Sequence, residues 1–424
     1  ASAHGCEEFW CTNIDDESNP IAAELGLCGG GTYREIQVYV DGLLAGAVYP
    51  FPVVYTGGIN PLLWRPLSGI MSFDIPAYSF DITPFLLPQT DAAGRTETQD
   101  QDQDQNQHEI AFTVVGNNLS GNWYVDGSLR VSRTAGVGVL SAQVQHADGG
   151  TQVEAQHQTE QDSYSWETAG HHDYDIRATY YATDDSVYGQ FETAGRLRAT
   201  NSNNLTEGGT YQTTSGLLHS NVRVNGATEV SRYPYSIHSS YVEELASNSM
   251  QIYAYVNMTY DKTVQRADAG GGTGGDAMAA GWVNRISSEA TYNRSLDHTA
   301  TYVQTDDAVA VYTVDMALDR DRDRDRGSEG EGEGASGVGY EYGQKASASD
   351  GLVTLNSVQG TAYGMCGYVL CDCTGLGLGL GLDGQNHSTS TKPEPKPKPS
   401  NDSGNVSKSV FMVRHPLKPK SSPC

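Results

Sequence analysis

Basic charge is scarce in this chain of 424 residues: 26 Lys and Arg stand against 52 Asp and Glu, for a formal net charge of −26. Phosphate binding works through Lys and Arg that displace counterions, so this balance excludes unaided binding to nucleic acid or anionic membranes. No apolar run approaches the ~18 residues that a membrane-spanning helix needs. Phenylalanine is sparse, 8 against 25 Tyr, whereas Gly reaches 48. A Tyr-rich, Gly-rich composition suits strands and turns and opposes helical bundles. No phosphate loop, dinucleotide fingerprint or serine-hydrolase elbow occurs. Metal-binding patterns are missing too. Cys366, Cys371 and Cys373 lack the paired C-x2-C repeats of zinc sites, and His171-His172-Asp173 has no further ligand at suitable spacing and reads as a polar turn.

Seven cysteines leave one over, or one with a partner outside the chain. Asn-x-Ser/Thr acceptors stand at Asn118, Asn204, Asn257 and Asn293, and again in the tail at Asn386, Asn401 and Asn405. Together they favour a secreted or extracellular (or vacuolar) location. The first residue is Ala1, so a removed signal or a longer parent chain is expected.

Residues 33–40, Tyr-Arg-Glu-Ile-Gln-Val-Tyr-Val, alternate as a half-buried strand does, and Asp41-Gly42 before the run 43–49 predicts a hairpin. Residues 50–88 are dense in Pro and Gly, which predicts long ordered loops and excludes helix. Strand patterning resumes over 108–115 and 123–131. From about 138 to 312 many short strand-like runs follow at the spacing of β-sandwiches. The polar repeats at 96–107 and 319–336 read as disordered insertions. The fold class is therefore all-β and antiparallel, with a first region over 1–134 and a second β-rich, sandwich-like domain over 135–372. Residues 373–424 form a disordered, low-complexity tail with six of the chain's eight lysines.

Two constellations could carry chemistry. His4-Gly5-Cys6-Glu7-Glu8-Phe9-Trp10-Cys11 spaces Cys6 and Cys11 for a small disulfide-closed loop holding two acids and a Trp. A carboxylate against an indole is partly desolvated, which raises its pKa toward general-acid use. The plainer alternative is an exposed acidic loop on a structural disulfide. The second is Thr56-Gly57-Gly58-Ile59-Asn60-Pro61-Leu62-Leu63-Trp64-Arg65-Pro66. Its glycines let backbone approach a ligand, and Arg65 offers a planar fork of donors to sugar hydroxyls or carbonyls. A packed loop with Arg65 paired to Asp74 or Asp81 accounts for it equally well.

Residues 34–86, with HGCEEFW before them and HEIAFTVVG…NWYVDGSLRV after them, resemble the peptide:N-glycanase A family. The dense match runs over residues 4–133. The resemblance implies two jelly rolls flanking an active-site groove, with residues 1–134 as the second, antiparallel jelly-roll sandwich, and secreted amidases of plant and fungal type that act on N-glycosylated peptides or glycoproteins. The reaction so implied is hydrolysis of the GlcNAc–Asn amide, which leaves Asp and a glycosylamine and needs no cofactor. The similar bacterial enzymes carry a Gly-Cys-Ala-Glu-Trp-Cys loop with a catalytic glutamate. Counted from Gly5-Cys6, Glu8 takes that place, with Glu7 in reserve. Trp10 and Trp64 would contact the chitobiose core, Arg65 would help hold the substrate, and Asn60, Gly57 and Gly58 would line the site. The family's other jelly roll has a Phe-Asp-Arg-type motif with the principal catalytic acid, and no Phe-Asp-Arg occurs here. The expectation is a second-half fragment or subunit that needs an N-terminal domain for activity. The competing expectation is a non-catalytic, secreted glycan-binding β-sandwich protein.

Overall fold

In a computed structural model the described residues are 2–14, 30–54, 56–59, 69–72, 75–90, 107–117, 119, 121–131, 139–182, 184, 186–244, 248–266, 278–294, 300–315, 337–349, 352–363, 365–366, 369–370 and 408–414. They are almost wholly β. Strands β1 (Ser2–Gly5), β2 (Arg34–Val40), β3 (Leu43–Val48), β4 (Gln107–Gly116) and β5 (Gly121–Tyr124) come first. Ten more follow: β6 (Val139–Glu160), β7 (Ser163–Ala182), β8 (Val187–Thr206), β9 (Tyr211–Val224), β10 (Ala227–Glu244), β11 (Ser249–Arg266), β12 (Met278–Arg294), β13 (Ala300–Asp315), β14 (Gly337–Ser349) and β15 (Leu352–Tyr363). A two-rung hairpin, β16 (Met365–Cys366) and β17 (Val369–Leu370), and the strand β18 (Lys408–Arg414) complete the set.

The Asp-Gly hairpin forms as its sequence requires. Asp41 (φ 50°) and Gly42 (φ 81°) both take positive φ, the conformation of a turn whose twist matches the strands it joins. β2 pairs antiparallel with β3 on one side and β4 on the other. Beyond β4 lies β18, so the sheet order is β18-β4-β2-β3. The tail is thus not structureless throughout: its apolar run Val410-Phe411-Met412-Val413 lies in a strand on the free edge of β4. Gln107 likewise belongs to β4, whereas the rest of the polar repeat 96–107 and all of 319–336 lie outside the described residues. Helix is not wholly excluded from the Pro-rich loops. A single α-turn, α1 (Thr56–Ile59), and a 3-10 turn (Thr83–Leu86) form there, the latter with Pro84 in its first turn, where a missing N–H costs nothing.

β6 to β15 form one ten-stranded antiparallel meander in sequence order. Its strands run to 22 residues and are not the short ones expected. The apolar runs at 176–181, 197–200, 251–258 and 308–314 are segments of longer strands, because ladder hydrogen bonds continue through Thr, Asn and Gln just as well. His171-His172-Asp173 lies in mid-strand in β7 and is not a turn.

One face of the meander is buried. In β7 it carries Tyr164, Trp166, Thr168, Gly170, His172, Tyr174, Ile176 and Ala178, strictly every second residue. The core is common to both parts of the chain: Val38, Val40, Leu44 and Phe51 from the first sheet region join Ile176, Leu197, Tyr233, Val256 and Ile286 of the meander. The sandwich therefore lies between residues of the 1–134 and 135–372 regions. β2 is in its centre and is covered on both faces.

Candidate active site

β2 alternates two sets of side chains. Ile36, Val38 and Val40 point one way with Arg34; Tyr33, Glu35, Gln37 and Tyr39 point the other, toward the meander. A strand buried on both faces that nevertheless holds Arg34, Glu35 and Gln37 requires internal partners for all three.

Arg34 and Glu7 are each 0% exposed. The guanidinium Nε donates to Glu7 Oε2, Nη2 donates to Oε1 at 2.9 Å, and Nη1 donates to the carbonyls of Tyr33 (2.6 Å) and Asn117 (3.2 Å). Trp123 in β5 adds its indole N–H to Glu7 Oε2 at 2.9 Å. Three donors thus saturate one carboxylate, and the forked Arg–carboxylate geometry is the strong one. Gly116 makes room for it. It stands opposite Arg34 in the β2–β4 ladder, and a Cβ there would lie 2.8 Å from Arg34 Cδ and Nη1. Gly116→Ala is expected to lower stability by about 1–3 kcal/mol through overpacking, measured as a shift of the urea midpoint at unchanged m-value.

The turn carrying Glu7 is tightly built. Glu8 N–H donates to Gly5 O (3.1 Å), Trp10 N–H to Glu7 O (3.1 Å) and Thr12 N–H to Phe9 O (2.8 Å). Phe9 takes a left-handed conformation (φ 60°), which reverses the chain so that Glu7 and Trp10 face inward and Glu8 faces solvent. The two neighbouring acids are therefore unlike. Glu7 is locked by three donors, and Glu8 is the accessible carboxylate.

Two expectations for this loop need correction. Cys6 is disulfide-bonded, but not to Cys11, which is a free thiol at 0% exposure in the core. Burial pushes the Cys11 thiol well above its ordinary pKa. A 3-10 turn over Trp10–Thr12 aims Cys11 inward instead of across the loop. Trp10 is 3% exposed and belongs to the core, so it contacts no sugar from this position. Gly57 and Gly58 lie in α1, while Asn60, Trp64 and Arg65 fall outside the described residues. Among the glycosylation acceptors, Asn204, Asn257 and Asn293 lie within strands β8, β11 and β12; Asn293 is exposed, the other two are half-buried, and Asn118 is not described.

On the opposite face of β2 a second buried cluster surrounds Glu35. It accepts from Tyr33 Oη (2.5 Å), Gln37 Nε2 (2.8 Å) and Thr151 Oγ1 (3.3 Å), and His172 Nδ1 lies 2.6 Å from Oε1. The other ring nitrogen of His172 is 2.7 Å from Asp148 Oδ1. Among the described residues no group of His, Cys, Asp and Glu is arranged to hold a metal ion. Sequence reasoning passed over Arg34, Trp123, Glu35 and His172. The available signal for the two β2 residues was three polar side chains, Arg34, Glu35 and Gln37, within a strand buried along nearly its whole length.

The description "Peptide N-acetyl-beta-D-glucosaminyl asparaginase amidase A" matches residues 1–148. This stretch contains both acids of the turn, Arg34, Trp123 and Asp148. Residues 1–148 are therefore similar to the amidase A family. A curated relative, the peptide-N4-(N-acetyl-beta-glucosaminyl)asparagine amidase A of Prunus dulcis, is 41% identical over 130 residues. That alignment covers 31% of this chain and 20% of the relative, so the chain matches about a fifth of that protein's length. No solved structure matches the chain. The amidase A region ends close to the start of the meander, yet Glu35 within it is bound by Thr151 and His172 just beyond it.

Proposed function

We propose that this chain supplies the glutamate-bearing half of a glycopeptide amidase that hydrolyses the GlcNAc–Asn amide of N-glycans, giving Asp and a glycosylamine. The observation that carries the reading is the turn of the amidase A region, in which Glu7 is fixed by Arg34 and Trp123 while Glu8 is presented to solvent. A catalytic carboxylate must touch substrate or its attacking water, and Glu8 can. Glu7, with every oxygen occupied and no exposure, acts through the shape it gives the turn. Glu8 would orient the water or polarise the amide, chemistry worth on the order of 10²–10⁴-fold when a positioned side chain supplies it. The substrates are N-glycosylated peptides, met in a secreted or vacuolar compartment; the disulfide at Cys6 supports an oxidising location. Turnover further requires a complementary jelly-roll domain that contributes a second acid, in keeping with the missing Phe-Asp-Arg motif and the partial match to the relative.

The test is glycopeptide turnover followed by mass spectrometry, which registers Asn becoming Asp, for the chain alone and with such a domain added. Activity should appear only in the mixture. Glu8→Gln should then reduce kcat about 10²-fold with an unchanged melting temperature. If Glu7→Gln abolished turnover at full stability while Glu8→Gln did not, the two roles would be exchanged.

A further inference from the structure

The Glu7–Glu8 turn ends in a 3-10 segment, Trp10–Thr12, whose last carbonyls have no partner within the turn. Donors arrive from the meander, outside the amidase A region. Asn201 Nδ2 in β8 donates to Cys11 O (3.0 Å), and Asn203 Nδ2 donates to Thr12 O (2.8 Å) and Asn13 O (3.4 Å). Gln212 Nε2 in β9 donates to Thr12 O (2.7 Å) and to Asn203 Oδ1 (3.0 Å). Asn203 is 0% and Asn201 7% exposed. Buried amides on the inner face of a sheet are costly unless bonded, and Asn201 and Asn203, joined by the half-buried Gln212, each direct a donor to this run of three consecutive backbone carbonyls. Asn201 Nδ2 also donates to Tyr235 Oη (2.8 Å). Asn13 closes the turn from its own side, with Nδ2 donating to Cys6 O at 3.0 Å.

We propose that Asn201, Asn203 and Gln212 are positioning residues of the amidase site, so that the meander serves as the base on which the Glu7–Glu8 turn is held. This rests on the reading of Glu8 as the reactive carboxylate. The meander is then part of the catalytic apparatus and not an appended module: it fixes carbonyls three to five residues from Glu8, and through the 3-10 segment it sets where that side chain stands. A pattern of inward amides registered on one short segment has no such use in a module that merely covers apolar surface.

Cys11, a buried free thiol inside the clamped segment, is a built-in probe. In the full chain, Asn203→Leu with Gln212→Leu keeps side-chain bulk and removes the donors to Thr12 O and Asn13 O. Alkylation of Cys11 by iodoacetamide and amide exchange over residues 6–13 should each accelerate about tenfold, with exchange in β10 and β11 unchanged. With glycopeptide as substrate and the complementary domain present, kcat should fall about tenfold while KM stays within about threefold. Unchanged labelling and unchanged exchange over 6–13 would overturn the proposal, as would faster exchange throughout the meander. Should the double variant fail to fold, Gln212→Leu alone, at a half-buried position, gives the same readouts. If the unsubstituted protein shows no amidase turnover, the functional reading fails, while labelling and exchange still decide whether the amides hold the turn.

Discussion

Arg34→Leu is expected to cost about 3–5 kcal/mol of folding stability, because it leaves the Glu7 carboxylate, which has no solvent exposure, without its guanidinium partner. Trp123 would still donate its indole N–H, but both guanidinium donors to the carboxylate would be gone. The carbonyls of Tyr33 and Asn117 would lose theirs as well. Guanidinium denaturation of the purified chain measures the loss directly. Arg34→Lys should recover little, since an ammonium cannot reproduce the forked pair or reach both carbonyls from one plane. The double variant Arg34→Leu with Glu7→Leu separates charge from packing. Apolar replacement of a whole buried pair is often near neutral, so the double variant should be more stable than Arg34→Leu alone. Equal loss in the single and double variants would show that the pair's worth lies in packing.

The two faces of β2 show how far the sequence could be read. The strand, the Asp-Gly hairpin after it and the all-β class follow from local chemistry: side-chain alternation and one turn that needs positive φ twice. The Gly-Cys-Glu-Glu turn could likewise be found, since it is contiguous. Its internal geometry could not. Whether Glu7 or Glu8 turns inward depends on Phe9 adopting a left-handed backbone and on Arg34 waiting 27 residues away. Cys11 is the clearest case. Spacing suggested a disulfide with Cys6, but the direction of a side chain in a 3-10 turn is decided by what the turn packs on, here the meander. Strand length was misread for a related reason. Hydrophobic runs mark where a strand crosses the core, and the ladder continues past both ends of each run. His171-His172-Asp173 looked like a turn because three polar residues in a row usually are one. In β7, His172 faces the core and its two neighbours face outward, so the triplet is ordinary alternation with one buried polar member.

That buried member makes stability depend on pH. His172 is 0% exposed, and both ring nitrogens face carboxylate oxygens, Glu35 at 2.6 Å and Asp148 at 2.7 Å. Only the imidazolium can donate to both at once. Burial opposes its charge, but the hydrogen bond and charge of Glu35, reinforced by Asp148, outweigh burial, so the His172 pKa stands above its ordinary 6.5. For Asp148 burial acts in the raising direction, and the Gly150 N–H and His172 together outweigh it, leaving the pKa below 3.8. The signs follow by linkage. The contribution of His172 is fully present below pH 6.5 and is lost as pH rises through its higher folded-state value; that of Asp148 is present above pH 3.8 and is lost as pH falls through its lower one. The clamp between β2 and the β6–β7 hairpin is therefore complete in mildly acidic solution, the direction that self-repulsion of a −26 chain also favours. At pH 5, His172→Leu should cost about 3–5 kcal/mol, since it removes the buried cation that Glu35 and Asp148 share. Tyr33, Gln37 and Thr151 still donate to Glu35 in the variant, which sets the loss nearer the lower end. The gap between variant and unsubstituted chain should narrow steadily above neutrality, as the latter gives up the proton that makes His172 a double donor. Melting temperatures of both proteins from pH 4 to pH 9 provide the measurement, and a gap of constant size across that range would show that His172 does not titrate there and that the pH dependence has another source.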